Sequence, residues 1–254
     1  MPGSPTAESA SLESLVETGM LPLESLHPGG LRTTLELAAA CGIGQGTAVL
    51  DVASGTGETL CFLSESLGAE VRGVDRSGQM VRRAEAKAVS RGLEIPVEQA
   101  DAADLPFPDH TFDAAICECT LCFLDKPRVL AEMARVVRPG GYVGMHDLYW
   151  KEGAPEHLAR TLAHIEGERP ETLAGWRALF EQAGLRQLVT IDKSAVKARW
   201  MRESRRQLGW LGQIALTVRI VRRWGFSGAW RVLRSEQVFG SPFLGYAIAV
   251  GRKP

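Results

Sequence analysis

Short apolar runs rich in β-branched residues recur along the chain, and stretches with helical spacing separate them. Thr47–Ala53 (TAVLDVA) is bounded by glycines and predicts a buried parallel strand. The same pattern predicts strands at Val71–Val74, Ile95–Gln99, Phe112–Cys117 and Tyr142–Met145, with Leu188–Ile191 and Leu244–Val250 completing about seven. Thr59–Leu67, Met80–Arg91 and Pro127–Val137 read as the helices between them. Strands that alternate with helices make βαβ units, so the expected fold is α/β: a doubly wound sheet of six parallel strands and an antiparallel last one. Upstream, Leu31, Leu35, Ala38 and Ala39 mark a helix over Leu31–Cys41 that Gly42 stops. Leu12–Leu26 mixes apolar and acidic residues at roughly helical spacing and reads as part of an N-terminal arm or lid over residues 1–30. The core then covers 31–194, a helical excursion covers 195–240, and 241–254 returns to the core as the last strand.

Composition narrows the class. Of 254 residues, 45% are hydrophobic and 23% charged, which excludes disordered, collagenous and disulfide-scaffold chains. A net charge of -1 gives no global basic field, so nucleic acid is not an expected partner. The charge is unevenly placed, however. Between Arg186 and Arg234 twelve Lys or Arg stand against two acids, Asp192 and Glu203, so the excursion is basic and the body acidic. Gln207–Val218, an uncharged apolar-rich stretch of the excursion, falls well short of the ~20 residues of a membrane span. Five cysteines without regular spacing predict free thiols in a reducing compartment, and Met1–Leu15 lacks a basic apolar leader pattern. The expected location is cytoplasmic.

The candidate chemistry begins at Asp51-Val-Ala-Ser-Gly-Thr-Gly-Glu58, which follows the first strand and opens a helix. Gly55 and Gly57 permit a tight turn and close approach of a ligand to the backbone, and the helix N-terminus offers free N–H groups to an anion. A plain strand-to-helix turn would show the same glycines. Asp75 ends the second strand about 20 residues on, where an acid can accept hydrogen bonds from both ribose hydroxyls of a nucleoside. Asp101, after the third strand, can receive an exocyclic amine. Leu60 stands where a dinucleotide fingerprint has its third glycine, which weakens a dehydrogenase reading.

In their order and spacing LDVASGTG, GVDRSGQM, QADAADLPFPDHTFD and AEMARVVRPGGYV resemble the class I S-adenosylmethionine-dependent methyltransferases, in their small-molecule (type 11) branch, over residues 30–150. The resemblance implies that S-adenosylmethionine is the cofactor, held by Asp51, Ala53 and the backbone of Gly55 and Gly57 at its methionine part. Asp75 and Arg76 would lie at the ribose, Met80, Asp101 and Ala102 at the adenine, and Cys117 beside the sulfonium. Methyl transfer from a sulfonium is an in-line displacement governed by positioning, and a base is needed only where the acceptor must lose a proton.

Two resemblances bear on the acceptor. The stretch from Glu118 to Tyr149 looks like that of arsenite methyltransferases, which implies metalloid or thiol chemistry at Cys117, Cys119 and Cys122; Cys119 and Cys122 would share one face if helical. Packing is the plain alternative for these small side chains. VASGTG and LPFPD-TFD are similar to ubiquinone and menaquinone C-methyltransferases, which implies an apolar ring acceptor. The excursion interleaves Trp200, Trp210, Trp224 and Trp230 with arginines, as peripheral contact with an anionic membrane would require, or as a helical cap with Trp and Leu inward would also show. His146 and Asp147, expected just beyond the fifth strand, form a candidate base pair, with Glu118 and Tyr149 on the same rim. A non-catalytic binding module is the remaining alternative, since fold does not fix function.

Overall fold

The structure is a computed structural model and describes Ala10, Leu15, Met20 and residues 28–254, apart from the side chains at 198, 200, 201, 203–205, 207 and 208. Helix α1 (Leu31–Ala40) leads into β1 (Ala48–Val52), α2 (Glu58–Leu67), β2 (Glu70–Asp75), α3 (Gly78–Ser90) and β3 (Val97–Gln99). The chain continues through β4 (Phe112–Glu118), α4 (Lys126–Val136), β5 (Val137–Trp150), α5 (Glu156–Ile165), β6 (Glu171–Thr172) and α6 (Leu173–Gln182). It ends with β7 (Arg186–Asp192), α7 (Ser194–Phe239) and β8 (Leu244–Arg252).

The sheet order is β3-β2-β1-β4-β5-β8-β7. β1 to β5 pair in parallel, and β8 runs antiparallel to both β5 and β7, so the doubly wound sheet with an antiparallel last strand is as expected. Two details differ. β5 continues to Trp150 rather than ending at Met145, because β8 pairs with it residue by residue from Tyr142 to Trp150. That extension also recruits the two-residue β6 against Tyr149 and Trp150, which makes eight strands rather than seven among the described residues.

The period of two along each strand divides the core into two layers. Val49, Ala114 and Ile116 face α1, α2 and α3, where they meet Leu37, Leu60 and Ala84. Leu50, Val52, Ala115, Cys117, Val143 and Met145 face α4 and α6, where they meet Leu130, Met133, Trp176 and Phe180. After β3 the chain crosses back to place β4 on the other side of β1, so β1 and β4 flank the switch point where such sheets open a ligand crevice beyond their strand ends.

The helical excursion expected over 195–240 is helix α7, and Gly209 and Gly225, at φ 59° and 70°, break it into three pieces. Lys197 near its start donates to the carbonyls of Phe239 (2.8 Å) and Leu244, which ties the two ends of the excursion together. Its inner side carries Ile220 and Val232, against which Ala10 and Leu15 pack. Otherwise the proposed arm before residue 28 lies outside the described residues. Among the described residues no helix is long and apolar enough to cross a membrane.

Candidate active site

The turn after β1 holds Ala53, Gly55 and Gly57 at φ 60°, 53° and 78°. Ala53 is in a conformation that costs a non-glycine residue about 1 kcal/mol. Gly57 is required for a second reason: a Cβ there would stand 2.8 Å from Ala84 Cβ on α3, whereas a Cβ at Gly55 would meet nothing within 4 Å. One glycine therefore serves helix packing and the other leaves the crevice open. Asp75 fixes the turn by accepting from Gly55 N (3.0 Å) and Ser77 N (2.8 Å), and Ser77 caps α3 through Met80 N. Met80 is half-buried and Arg76 exposed on this rim. Asp101 is exposed and accepts from Ala103 N at 2.9 Å, beside the buried Ala102. The structure thus brings Asp51, Ala53, Gly55, Gly57, Asp75, Met80, Asp101 and Ala102 to the ends of β1, β2 and β3.

Asp51 is 3% exposed, and its Oδ2 has no hydrogen-bond partner among the described residues. Burial, then the charges of Glu118 and Asp75, push its carboxyl well above the usual carboxylate range. Glu118 ends β4 on the same sheet face and accepts from Thr34 Oγ1 of α1 (3.0 Å) and Thr59 Oγ1 of α2 (2.9 Å). His146 lies opposite Glu118 in the β4–β5 register, with Nδ1 3.8 Å from Glu118 Oε1 and its ring 5.2 Å from that of Tyr246. An orphaned acid beside an open glycine turn suits a cationic ligand with a backbone-seeking carboxylate, so these residues fit the cofactor that the motifs imply. Thr34 and Thr59 were not foreseen, because nothing local in the sequence marks a hydroxyl whose partner lies 84 or 59 positions away.

Several expectations need correction. His146 and Asp147 lie inside β5, not beyond it, and both are fully buried. Neighbours in a strand point to opposite faces, so they form no pair. Asp147 instead accepts from Cys122 N (3.1 Å) and Leu148 N (2.7 Å) and anchors the 3₁₀ turn Leu121–Phe123. Cys117 faces the α4 and α6 layer. Tyr149 is buried, with its hydroxyl 3.3 Å from Ser194 Oγ. Cys119 and Cys122 do not share a helical face: Cys119 precedes the turn at φ 54°, with its thiol 4.0 Å from Tyr246 Oη. Burial, then the Asp147 charge, pushes the Cys117, Cys119 and Cys122 thiols far up, the opposite of what thiolate ligation needs. Among the described residues no three His, Cys, Asp or Glu are grouped to hold a metal ion. Along α7 the tryptophans do not all turn inward: Trp210 and Trp230 are 70% and 60% exposed, Trp224 is half-buried, and the Trp200 side chain lies outside the described residues.

A family model described as a methyltransferase domain matches residues 50–145. An uncharacterized protein of Haemophilus influenzae is 32% identical over 174 residues, 66% of this chain and 69% of that protein. The methyltransferase GfsG of Streptomyces halstedii is 31% identical over 187 residues, 68% of this chain and 64% of its own. A demethylmenaquinone methyltransferase of Thermus thermophilus is 45% identical over 95 residues, 37% of this chain and 43% of its own. The chain thus spans less than two thirds of those two named enzymes. Among solved structures, the [4+2]-cyclase SpnF superposes with a TM-score of 0.73 at 27% identity, covering 88% of this chain and 81% of that one.

Proposed function

The chain belongs to the class I S-adenosylmethionine-dependent methyltransferases, and on that premise we propose that it methylates a small apolar acceptor drawn from an anionic membrane surface. Bound in the crevice, S-adenosylmethionine supplies a methyl group carried on a positively charged sulfur. The chain's own residues supply position. Gly55 and Gly57 open the backbone to the methionine part, Asp75 is placed for the ribose, and Met80, Asp101 and Ala102 border the base.

The acceptor reading is carried by the outer side of α7, read here as the acceptor-side cap. Trp210, Leu211, Ile214 and Val218 form one exposed apolar stripe, and Phe226, Trp230 and Leu233 form a second at i, i+4, i+7. Arg219, Arg222, Arg223 and Arg234 are exposed among them. A helix with apolar residues outward and arginines at their flanks suits a lipid headgroup boundary. The likeness to a demethylmenaquinone methyltransferase supports an apolar acceptor, while thiols that burial and the Asp147 charge push far up lend the metalloid reading little.

The fold also carries a cyclase, so methyl transfer has to be followed directly. Methyl-labelled S-adenosylmethionine is incubated with the protein and anionic vesicles containing quinol, phenol or isoprenoid acceptors. The expected result is S-adenosylhomocysteine together with label that extracts with the lipid. Cofactor binding without either product, for every acceptor class, favours the non-catalytic module.

A further inference from the structure

Tyr246, near the start of β8, lies opposite Leu148 of β5 and packs in an apolar cluster with Leu148, Trp150, Leu162, Val238 and Leu244. Those residues come from β5, α5, α7 and β8, so the cluster lies under the helical cap. Tyr246 is 6% exposed. A buried phenol ordinarily donates its O–H to a carbonyl or carboxylate. Among the described residues the hydrogen-bond partner of this hydroxyl is the Cys119 thiol, which donates to Tyr246 Oη at 4.0 Å. A thiol is a weak partner, and as donor it leaves the phenol proton unspent.

The hydroxyl also stands near the open end of the sheet. Its ring is 5.2 Å from that of His146, whose register neighbour is Glu118, the last residue of β4. Cys119 follows at φ 54°, a conformation uncommon for a residue with a side chain, and its N–H donates to the His146 carbonyl at 2.7 Å. Cys119 is half-buried, as are Leu158 and Ala159 of α5 and Phe239 of α7 at the edge of the same cluster. The strained turn thus sets its thiol against Tyr246 where the apolar cluster meets the strand ends.

We infer that the Tyr246 hydroxyl positions the methyl acceptor by donating a hydrogen bond to an oxygen of an otherwise apolar molecule, so that a ketone or phenol is held in preference to a hydrocarbon of the same shape. The inference rests on the apolar-acceptor reading above and adds the polar handle of that acceptor. Apolar walls hold a ligand without fixing its direction, and one donor among them selects the orientation in which an atom meets the methyl group. Burial, then the charges of Cys119 and Glu168, pushes the hydroxyl far above the ordinary tyrosine range. It therefore serves as a donor and not as a base. The Cys119 thiol, directed at a lone pair of Oη, leaves the O–H free to turn toward the acceptor.

The test compares tetralone with tetralin, which share a bicyclic apolar frame and differ by one carbonyl oxygen, on the protein saturated with S-adenosylhomocysteine. Calorimetry is expected to show the ketone binding about tenfold tighter, the worth of one buried hydrogen bond. The carbonyl stretch of the bound ketone is expected to fall below its value in hexane, as hydrogen bonding requires. Tyr246→Phe, which keeps the ring, is expected to abolish the preference by weakening the ketone, to change tetralin affinity less than about threefold, and to return the stretch toward its hexane value. Equal affinities or an unshifted stretch in the unmodified protein overturn the inference and leave the apolar-acceptor reading standing. A preference and a shift untouched in a Tyr246→Phe protein that still binds S-adenosylhomocysteine do the same. Binding of neither ligand by an unmodified protein that holds S-adenosylhomocysteine overturns both.

Discussion

Asp75 uses its two oxygens to hold the glycine turn and the start of α3, and it also faces the position proposed for the ribose. Replacing it by Ala is expected to weaken S-adenosylmethionine binding by about 1.5 to 3 kcal/mol, the cost of losing hydrogen bonds to a charged acceptor. Calorimetry reads this, and an unchanged affinity would place the ribose elsewhere. The two glycines of the turn should separate. Gly57→Ala meets Ala84 and a positive φ together, so a drop of about 2 to 4 kcal/mol in denaturant stability is expected from overpacking and strain. Gly55→Ala has only the φ to contend with, so it should cost about 1 kcal/mol and act mainly on cofactor affinity. Equal losses from the two would contradict the division of labour. These residues were legible in the sequence because a turn and the acid at the next strand's end are local features at fixed spacing. The Glu118 contacts were not, because they form only when α1, α2 and β4 meet.

At the scale of elements, the strands were legible from their apolar runs, whereas the length of β5 was not, since it is set by its pairing with β8. That pairing is what turned the expected His146 and Asp147 rim into buried strand positions. The excursion was legible as helical and basic, but its two glycine breaks and outward apolar stripes depend on which side the body covers. Its closure depends on Lys197, whose ammonium is buried against main-chain carbonyls and pushed down by burial to about 8. Between pH 8 and the ordinary lysine value the unfolded chain keeps a proton that the folded chain has released. Stability from this group therefore rises with pH across that window and is lost as pH falls through 8. Urea midpoints of the unmodified protein, compared with those of Lys197→Met, should show this rise between about pH 7.5 and 10 only with the lysine present. Parallel pH profiles would mean that Lys197 keeps an ordinary pKa.

The whole molecule segregates its charge: a net of -1 conceals an acidic body and a basic segment that includes α7. That segment inserts before the last strand, and in this sheet type such insertions lie near the ligand edge. On the proposed membrane reading, α7 is expected to face the anionic surface and the acidic body to face away from it, because the same surface attracts one part and repels the other. Two contributions then act on binding and can be separated. The arginine contribution is screened as the Debye length falls from about 14 Å at 0.05 M salt to about 4 Å at 0.5 M, whereas burial of Trp210, Leu211, Phe226 and Trp230 is not. Cosedimentation with anionic vesicles is therefore expected at low salt and largely reversed at high salt, with weak binding to neutral vesicles at either. Replacing Arg219, Arg222 and Arg223 by Ser should abolish the salt-sensitive part, and replacing Trp210, Leu211 and Ile214 by Ser should weaken binding at all salt concentrations. Both variants should keep S-adenosylmethionine affinity, since the cofactor crevice is built from the ends of β1, β2, β3 and β4. If neither the unmodified protein nor the variants sediment, and sedimentation equilibrium shows a dimer that the Trp210, Leu211 and Ile214 substitutions dissociate, then a second copy covers the stripes and the acceptor reaches the crevice from solution.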